Sequence, residues 1–491
     1  MQIGQPTSTS LSALGSRLNL QVSGDIEITG ITHDSRAVTN GDLYVAIPGL
    51  TQHGINFVQQ AIDNGAVAVA SDQHGCEIAQ NFGLPWLLLG DARFDMASVA
   101  AEFYGHPEQK LKMIGVTGTN GKTTITQILR TLLAGAGHNV GVIGTLGAFV
   151  GDLEIPSKRT TPESTDLFMM LAQMVSAGAD TVCMEVSSHA LELHRVAGIK
   201  FDVAIFTNLT QDHLDFHGSM ADYFAAKQKL FTDSRCKVAV IYSDDDWGRK
   251  LISSTDAQQV VTVGATGDWC ISDVSTALSG STRFNLKTPT QNFDVNIPMY
   301  GEFNAKNAAL CLAVCASLGL DPSVVKDSLA NLPQVPGRMQ LVARHNDFLA
   351  FVDYAHTPDA VEKVLTELLV AKPTKLITVI GCGGDRDPSK RAIMGQISAQ
   401  LSDVVVITDD NPRSEDPAQI RQAVLQGTLG QPAQVFEIGD RREAISFALS
   451  MAGAGDVVAV LGKGHEVGQE VKGIVTDFDD VKVIREVIAN A

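Results

Sequence analysis

The chain is short of positive charge. Its 491 residues hold 37 Lys and Arg against 55 Asp and Glu, a formal charge of −18. That balance argues against non-specific nucleic-acid binding, which needs clustered cations to neutralise phosphates. It still allows an anionic small molecule, because a few local cations can serve one pocket. Long apolar runs are missing too. No stretch of about 18 apolar residues offers a membrane span. The opening MQIGQPTSTSLSAL lacks the basic-then-apolar layout of a secretory signal. The seven cysteines, Cys76, Cys183, Cys236, Cys270, Cys311, Cys315 and Cys382, include no CxxC pair. They fit buried or free thiols in a reducing cytoplasm, the expected location. There is no tandem repeat and no low-complexity tract.

The remaining composition, 44% hydrophobic and 19% charged, is that of a soluble globular protein. At roughly 150 residues per domain, this length predicts about three domains. Boundaries are expected near Pro107 and in the proline- and glycine-bearing NLPQVPGRMQ, giving segments 1–109, 110–335 and 336–491. The first reads as mixed α/β, with short β-like runs in DIEITGITHDSRAVTNGDLYVAIPG and a helical pattern over FVQQAIDNGAVAVASD. In the second, apolar runs (LKMIGVTG, NVGVIGTLG, TVCMEVSS, DVAIFTNL, KVAVIYSD) alternate with helical spacing, the pattern of a parallel sheet. Its Thr- and Ser-rich stretch 265–296 reads as an antiparallel extension, and GEFNAKNAALCLAVCASLGL as a helix. In the third segment the αβ alternation restarts, as in a doubly wound, Rossmann-like sheet. The fold class is therefore α/β in three domains, the central one a parallel sheet of the P-loop type.

GVTGTNGKTT sits between the apolar run LKMIGVTG and the helical GKTTITQILRTLLAGAG. It departs from the strict GxxxxGK[ST] pattern, because position 116 is valine. Gly118 and Gly121 let backbone N–H groups turn around phosphate oxygens. Lys122 reaches β/γ oxygens, and the Thr123 hydroxyl is suited to Mg²⁺. A glycine-rich turn at a helix start is the alternative, and the Gly-Lys-Thr-Thr at this junction argues against it. Glu185, at the end of TVCM, is a hard oxygen ligand at the ligand-binding edge of such a sheet; the alternative is an ordinary strand-end acid.

TGTNGKTT resembles the ATP loop of the Mur ligases and their relative folylpolyglutamate synthetase. The resemblance implies an enzyme that phosphorylates a carboxylate with ATP and lets an amine attack the acyl phosphate. Gly118, Thr119, Asn120, Gly121, Lys122, Thr123 and Thr124 are then the ATP loop. Two magnesium ions are implied, held by Thr123, Glu185, His213 of DHLDFHG and Lys227 of YFAAKQKLF. Lys227 matches a lysine carrying a CO₂-derived carbamate, which turns a cation into an anionic ligand and requires a neutral amine. Read without the other motifs, Lys227 is an exposed helix lysine. The resemblance also places Asn304 and Asn307 near the ATP base, and i, i+3 spacing sets both on one helix face. It gives Arg338 to the γ-phosphate and Asp353 to the ribose, with His356 nearby.

The substrate ends are narrower. THDSR and GDLYVAIPG resemble the uridine-nucleotide domain of the tripeptide-forming Mur ligases. That implies contacts to UDP-MurNAc-L-Ala-D-Glu from His33, Ser35, Leu50, Thr51 and Gln52, then from Thr160, Thr161, Ser187 and Arg195. Leu193 stands where the family often has glutamine, which removes one side-chain hydrogen bond from that set. In TDDNPRSEDP, Asp410, Asn411, Pro412 and Arg413 match the tetrapeptide of relatives that add meso-diaminopimelate, with Arg391, Gly462 and Glu466 completing the set. An arginine suits the extra carboxylate by which diaminopimelate differs from lysine. Alone, Asp-Asn-Pro is a common turn. The resemblance spans all three domains in order and implies a cytoplasmic monomer with small-molecule substrates. The rivals are a lysine-adding or folate-polyglutamylating ligase, and a nucleotide-gated binding protein. Arg413 and THDSR argue against the first pair. Lys122, Glu185, His213 and Lys227 together argue against the second.

Overall fold

A computed structural model of the chain describes residues 8–49, 51–157, 159–277, 280–345 and 348–490. Leu50, expected at the sugar-nucleotide end, lies outside them. The chain forms two compact units. One takes in the described residues of Met1–Leu209, His213–Val263 and Leu310–Val325; the other takes in Thr210–Asp212, Gly264–Ala309 and the described residues of Lys326–Ala491.

Two large sheets and a two-stranded ladder, Thr9–Ser10 with Glu27–Ile28, build the first unit. Of the two sheets, the smaller has the spatial order Val22–Ser23, Trp86–Leu88, Ala68–Ser71, Asp42–Ala46, Gly30–Thr32. All its pairs are parallel except the one at Val22–Ser23. The helical reading of FVQQAIDNGAVAVASD fails halfway. The helix covers only Val58–Asp63, and Ala68–Ser71 is a strand. Gly65 at φ +109 turns the chain between them. The β-branched alternation that follows is satisfied by pairing on both sides. Pro107 opens a short 3₁₀ turn, Pro107–Lys110, after the helix Ala92–Phe103.

The larger sheet carries the glycine loop. At its centre Lys112–Thr117 lies between Thr181–Glu185 and Phe201–Phe206, parallel to both. Val140–Gly144 extends one side, and Cys236–Tyr242 with Gln259–Gly264 the other. Every residue of Thr181–Glu185 and all but Lys112 in Lys112–Thr117 are buried. Such continuous apolar runs belong to parallel strands covered on both faces. Register sets Glu185 opposite Val116 and Phe206 opposite Thr117, so three strands end together at one edge. Ligands bind at this carboxyl edge in open α/β sheets.

The second unit holds the antiparallel strands Trp269–Ala277, Ser281–Lys287 and Asn292–Ile297, as expected for 265–296. It also holds a six-stranded sheet in the order Gln340–His345, Phe348–Asp353, Val457–Leu461, Leu376–Ile380, Val404–Ile407, Gln434–Glu437. All its pairs are parallel except the first. The order jumps from Phe348–Asp353 to Val457–Leu461 and back, so the crossover lies beside the ends of Asp353, Ile380 and Leu461. Among the described residues no helix is long and apolar enough to cross a membrane.

Candidate active site

The glycine loop is folded by its own glycines and gripped from the neighbouring strand end. Gly118 has φ +146, and a Cβ there would lie 1.9 Å from Thr207 Oγ1. Gly121, at φ +90, is the N-cap of the helix Lys122–Gly135 and offers no capping side chain. Elsewhere in the same unit Ser10, Asp72, Asp91, Ser187, Ser219 and Asp245 cap their helices. An uncapped N-terminus leaves N–H groups and the positive end of the helix dipole for an anion. Thr207 Oγ1 donates to Asn120 O at 2.6 Å. Asn208 Oδ1 accepts from Asn120 N at 3.1 Å, and Asn208 O from Thr119 N at 3.0 Å.

Two lysines converge on one carbonyl. Lys122 Nζ donates to Gly118 O at 2.8 Å and to Thr119 O at 2.9 Å, and Lys227 Nζ also donates to Gly118 O at 2.8 Å. The pair makes the loop strongly positive, as a polyphosphate requires. Lys227 is 1% exposed and sits 4.6 Å from the Tyr223 ring centroid. The exposed-helix alternative for Lys227 is therefore excluded. The Tyr223 hydroxyl lies 3.3 Å from Thr119 Oγ1, and the His213 ring faces Tyr223 edge-on at 6.3 Å. Thr123, Thr124 and Glu185 are all buried. Glu185 accepts from Thr145 N at 2.8 Å and Thr145 Oγ1 at 3.1 Å.

These donors fit a hard cation in part. A buried carboxylate and a buried hydroxyl border the loop. Lys227 fits only as a carbamate, since an ammonium has no lone pair to give. Among the described residues no three His, Cys, Asp or Glu gather as a metal cluster.

Beside Glu185 the chain builds a polar strip. Thr161 Oγ1 donates to Glu185 O at 2.9 Å and accepts from Ser187 N at 3.1 Å. Thr160 Oγ1 lies 3.1 Å from Thr145 Oγ1. Arg195 Nη1 donates to Thr161 O at 3.2 Å. His33 Nδ1 lies 2.8 Å from Thr165 Oγ1, which ties THDSR to this strip. Ser35 is buried and donates to Gln60 Oε1 at 2.8 Å. Thr51 and Gln52 are exposed, and Leu193 is half-buried.

In the second unit the DNPR residues meet GKGHE. Asn411 Nδ2 donates to Glu466 Oε2 at 2.9 Å, and Asn411 Oδ1 accepts from Lys463 Nζ at 3.0 Å. Lys463 is fully buried; burial pulls its ammonium below the usual lysine range, and Asp410 opposes that shift. Gly462 has φ +110, and a Cβ there would press on Asp410 Oδ2 at 2.6 Å. Tyr354 donates to Glu466 Oε1 at 3.2 Å; burial and the Glu466 charge push the phenol up to about 12, so it stays protonated. Arg391 grips Glu415 with two bonds, at 2.9 and 2.8 Å. Arg413, in a left-handed conformation at φ +52, donates to Gly384 O at 2.6 Å and lies 3.6 Å from Glu470.

That last arrangement bears on the choice between diaminopimelate and lysine. An arginine matched to the extra carboxylate rejects lysine most strongly when it is buried with no other partner. Here the Arg413 side chain is 22% exposed and already has Gly384 and Glu470 as partners. An arginine placed this way would discriminate by degree rather than absolutely. Asn304 and Asn307 do share a face, and they bond each other, Nδ2 of Asn307 to Oδ1 of Asn304 at 3.2 Å. Asp353 gives both oxygens to backbone, accepting from Met339 N at 2.6 Å and Ala355 N at 2.8 Å. The Arg338 guanidinium lies over the Tyr354 ring at 5.0 Å, and His356 is exposed.

Sequence reasoning missed Thr207, Asn208, Tyr223, Glu163, Glu415, Lys463 and Glu470. Glu415, Lys463 and Tyr223 sit inside stretches already singled out, DNPRSEDP, GKGHE and YFAAKQKLF, and Thr207 and Asn208 in the strand-like DVAIFTNL. Glu163 and Glu470 meet arginines dozens of positions away, Arg195 and Arg413.

Three family models match the chain: the Mur ligase middle domain over 116–315, the Mur ligase glutamate ligase domain over 337–464, and the Mur ligase family catalytic domain over 27–84. UDP-N-acetylmuramoyl-L-alanyl-D-glutamate–2,6-diaminopimelate ligase of Streptomyces coelicolor is 46% identical, over 98% of this chain and 97% of that protein. The Corynebacterium glutamicum protein of the same name is 43% identical, over 94% and 92%. A solved structure of a UDP-N-acetylmuramoyl-L-alanyl-D-glutamate–2,6-diaminopimelate ligase has TM-score 0.70 and 34% identity, covering 99% of both chains.

Proposed function

The chain belongs to the Mur ligase family, and we propose that it is the ATP-dependent amide ligase that joins meso-diaminopimelate to UDP-MurNAc-L-Ala-D-Glu in peptidoglycan precursor synthesis. The observation that carries this reading is 46% identity to a ligase of that name along nearly the entire chain, 98% of it. The site residues support it. Each substrate has a candidate group of side chains.

ATP places its phosphates on the uncapped start of the helix Lys122–Gly135, among Gly118, Thr119, Asn120, Gly121, Thr123 and Thr124. Lys122 swings from the Gly118 and Thr119 carbonyls to the β/γ oxygens, and offsets charge that develops during transfer. Asn304 and Asn307 toward the base, Asp353 toward the ribose and Arg338 toward the γ-phosphate are assignments by resemblance. Thr123, Glu185, His213 and carbamylated Lys227 would hold two Mg²⁺, which supply charge neutralisation at the phosphates. Ser35, His33, Thr51 and Gln52 hold the sugar nucleotide, and Thr160, Thr161, Ser187 and Arg195 the peptide.

The D-glutamyl side-chain carboxylate takes the γ-phosphoryl group, and ADP departs. Asn411, Glu466 and Asp410 receive the amino-acid head of diaminopimelate, while Arg391 and Arg413 receive carboxylates. The amine attacks the acyl carbon, phosphate leaves, and an amide remains. We place this work in three domains, 1–109, 110–335 and 336–491, in a monomeric cytoplasmic enzyme.

An acceptor labelled with ¹⁸O in the glutamyl side-chain carboxylate tests the route. One label should appear in the inorganic phosphate for each amide formed. Amide formation with unlabelled phosphate would remove the acyl phosphate from the mechanism.

A further inference from the structure

Glu163 stands at the centre of a charge cluster that the assignments above do not use. Its carboxylate is buried, at 6% side-chain exposure, and faces three arginines. Arg195 Nη2 lies 2.8 Å from Oε1, Arg159 bonds the same oxygen, and Arg93 Nη1 lies 3.6 Å from Oε2. Three cations against one carboxylate leave two positive charges in excess. An uncompensated excess in a partly buried place is costly, and an anion relieves it. The strain falls on Arg195, whose basicity burial lowers; Arg159 and Arg93 lower it further, against Glu163.

Two of the arginines also have donors to spare. Arg93 Nη1 and Arg195 Nε are buried and make no hydrogen bond. Buried guanidinium N–H groups without acceptors are the exception in folded proteins. They lie, moreover, where an acidic ligand is expected. Arg195 donates to Thr161 O, in the peptide strip. Arg93 comes from the first turn of the helix Ala92–Phe103 and donates to Pro48 O at 3.3 Å, at the start of the segment that leads to Thr51 and Gln52. Arg93 thus bridges the sugar-nucleotide end and the peptide end of the acceptor.

We propose that Arg93 and Arg159 join Arg195 in binding the acceptor through the free α-carboxylate of its glutamyl residue, with Glu163 as the resident counter-ion that spaces the three guanidinium groups. The proposal rests on the ligase reading. That carboxylate is the one left unactivated, so the cluster orients the side-chain carboxylate without consuming it. It also makes Arg93 a specificity residue, favouring an α-carboxylate over an α-carboxamide.

The test pairs Arg93→Ala with two acceptors, UDP-MurNAc-L-Ala-D-Glu and its D-isoglutamine analogue, with UDP alone as a binding probe. The unaltered protein should prefer the carboxylate acceptor. In Arg93→Ala the KM for that acceptor should rise about tenfold or more, the size of one lost charge-assisted bond. The KM for the carboxamide acceptor and the affinity for UDP should hold. Arg159→Ala, at a side chain 51% exposed, should show the same pattern more weakly and keeps the test readable if Arg93→Ala folds poorly. An equal loss on both acceptors overturns the proposal. So does a matching loss of UDP affinity, which would give the cations to the diphosphate. If the unaltered protein turns over neither acceptor, the ligase reading falls and the proposal with it. Normal turnover by the protein and by both variants sinks the proposal alone.

Discussion

Lys227 brings a cation to a place where the proposed chemistry needs an anionic oxygen. Its amine is buried, bonded to Gly118 O and set against the Tyr223 ring. Conversion to a carbamate would remove one of the two positive charges now pointed at the same carbonyl and supply a metal ligand. Lys227→Ala should therefore lower turnover by roughly a hundredfold or more, on the scale of losing one preorganised electrostatic group. Short carboxylic acids should restore part of it, measured as phosphate release; full activity in the variant would retire the role. At this scale the sequence was readable where motifs are consecutive: TGTNGKTT turns between a strand and a helix, and DNPR meets GKGHE through Asn411 and Glu466. Glu163 and Tyr223 were not readable, because a lone acid or tyrosine takes its meaning from partners the chain order does not reveal. Arg413 shows a subtler limit. Its identity was legible, while its bond to Gly384 and its exposure arise only from the fold.

The glycine loop holds its shape as an element because the neighbouring strand end clamps it. Thr207 and Asn208 hold Thr119 and Asn120 from outside. Thr207→Val keeps the volume but leaves Asn120 O without its short donor at 2.6 Å. Asn120 O then keeps only the longer bond from Asn208 Nδ2, at 3.3 Å, and losing one hydrogen bond costs about 0.5–1.5 kcal/mol. The KM for ATP should rise several-fold while the KM for the acceptor holds; equal effects on both would mean a general loss of fold. Gly118→Ala should be harsher, since its Cβ would fall 1.9 Å from Thr207 Oγ1. Strand–turn–helix was legible here from an apolar run followed by glycines and helical spacing. The same reasoning misread AVAVAS. A short run of alternating small apolar residues satisfies either period, and only sheet pairing on both sides decided for the strand.

On the scale of the whole molecule, parallel sheets built from repeated αβ alternation were legible, as was the antiparallel stretch near 265–296. The division into compact units was less so, because residues 264–309 pack with the C-terminal part of the chain. Chain continuity is a poor guide to that kind of contact. The second unit is locked by Arg441 and Asp480, both fully buried and joined by two bonds of 2.8 Å, with Arg441 also donating to Leu461 O at 3.0 Å. Arg441→Met leaves Asp480 buried alone and should cost about 3–5 kcal/mol in urea unfolding. Asp480→Asn should cost less, and an unchanged midpoint in both would deny the lock. The account as a whole stands on one reaction, and phosphate release tests it most directly. The purified protein is given ATP, Mg²⁺ and UDP-MurNAc-L-Ala-D-Glu, with either meso-diaminopimelate or L-lysine. Phosphate should appear with diaminopimelate, together with a product heavier by that residue. Lysine should be poorer by about a hundredfold in kcat/KM, a graded preference that fits an arginine already partnered. Release with lysine alone, or with neither amine, would contradict it.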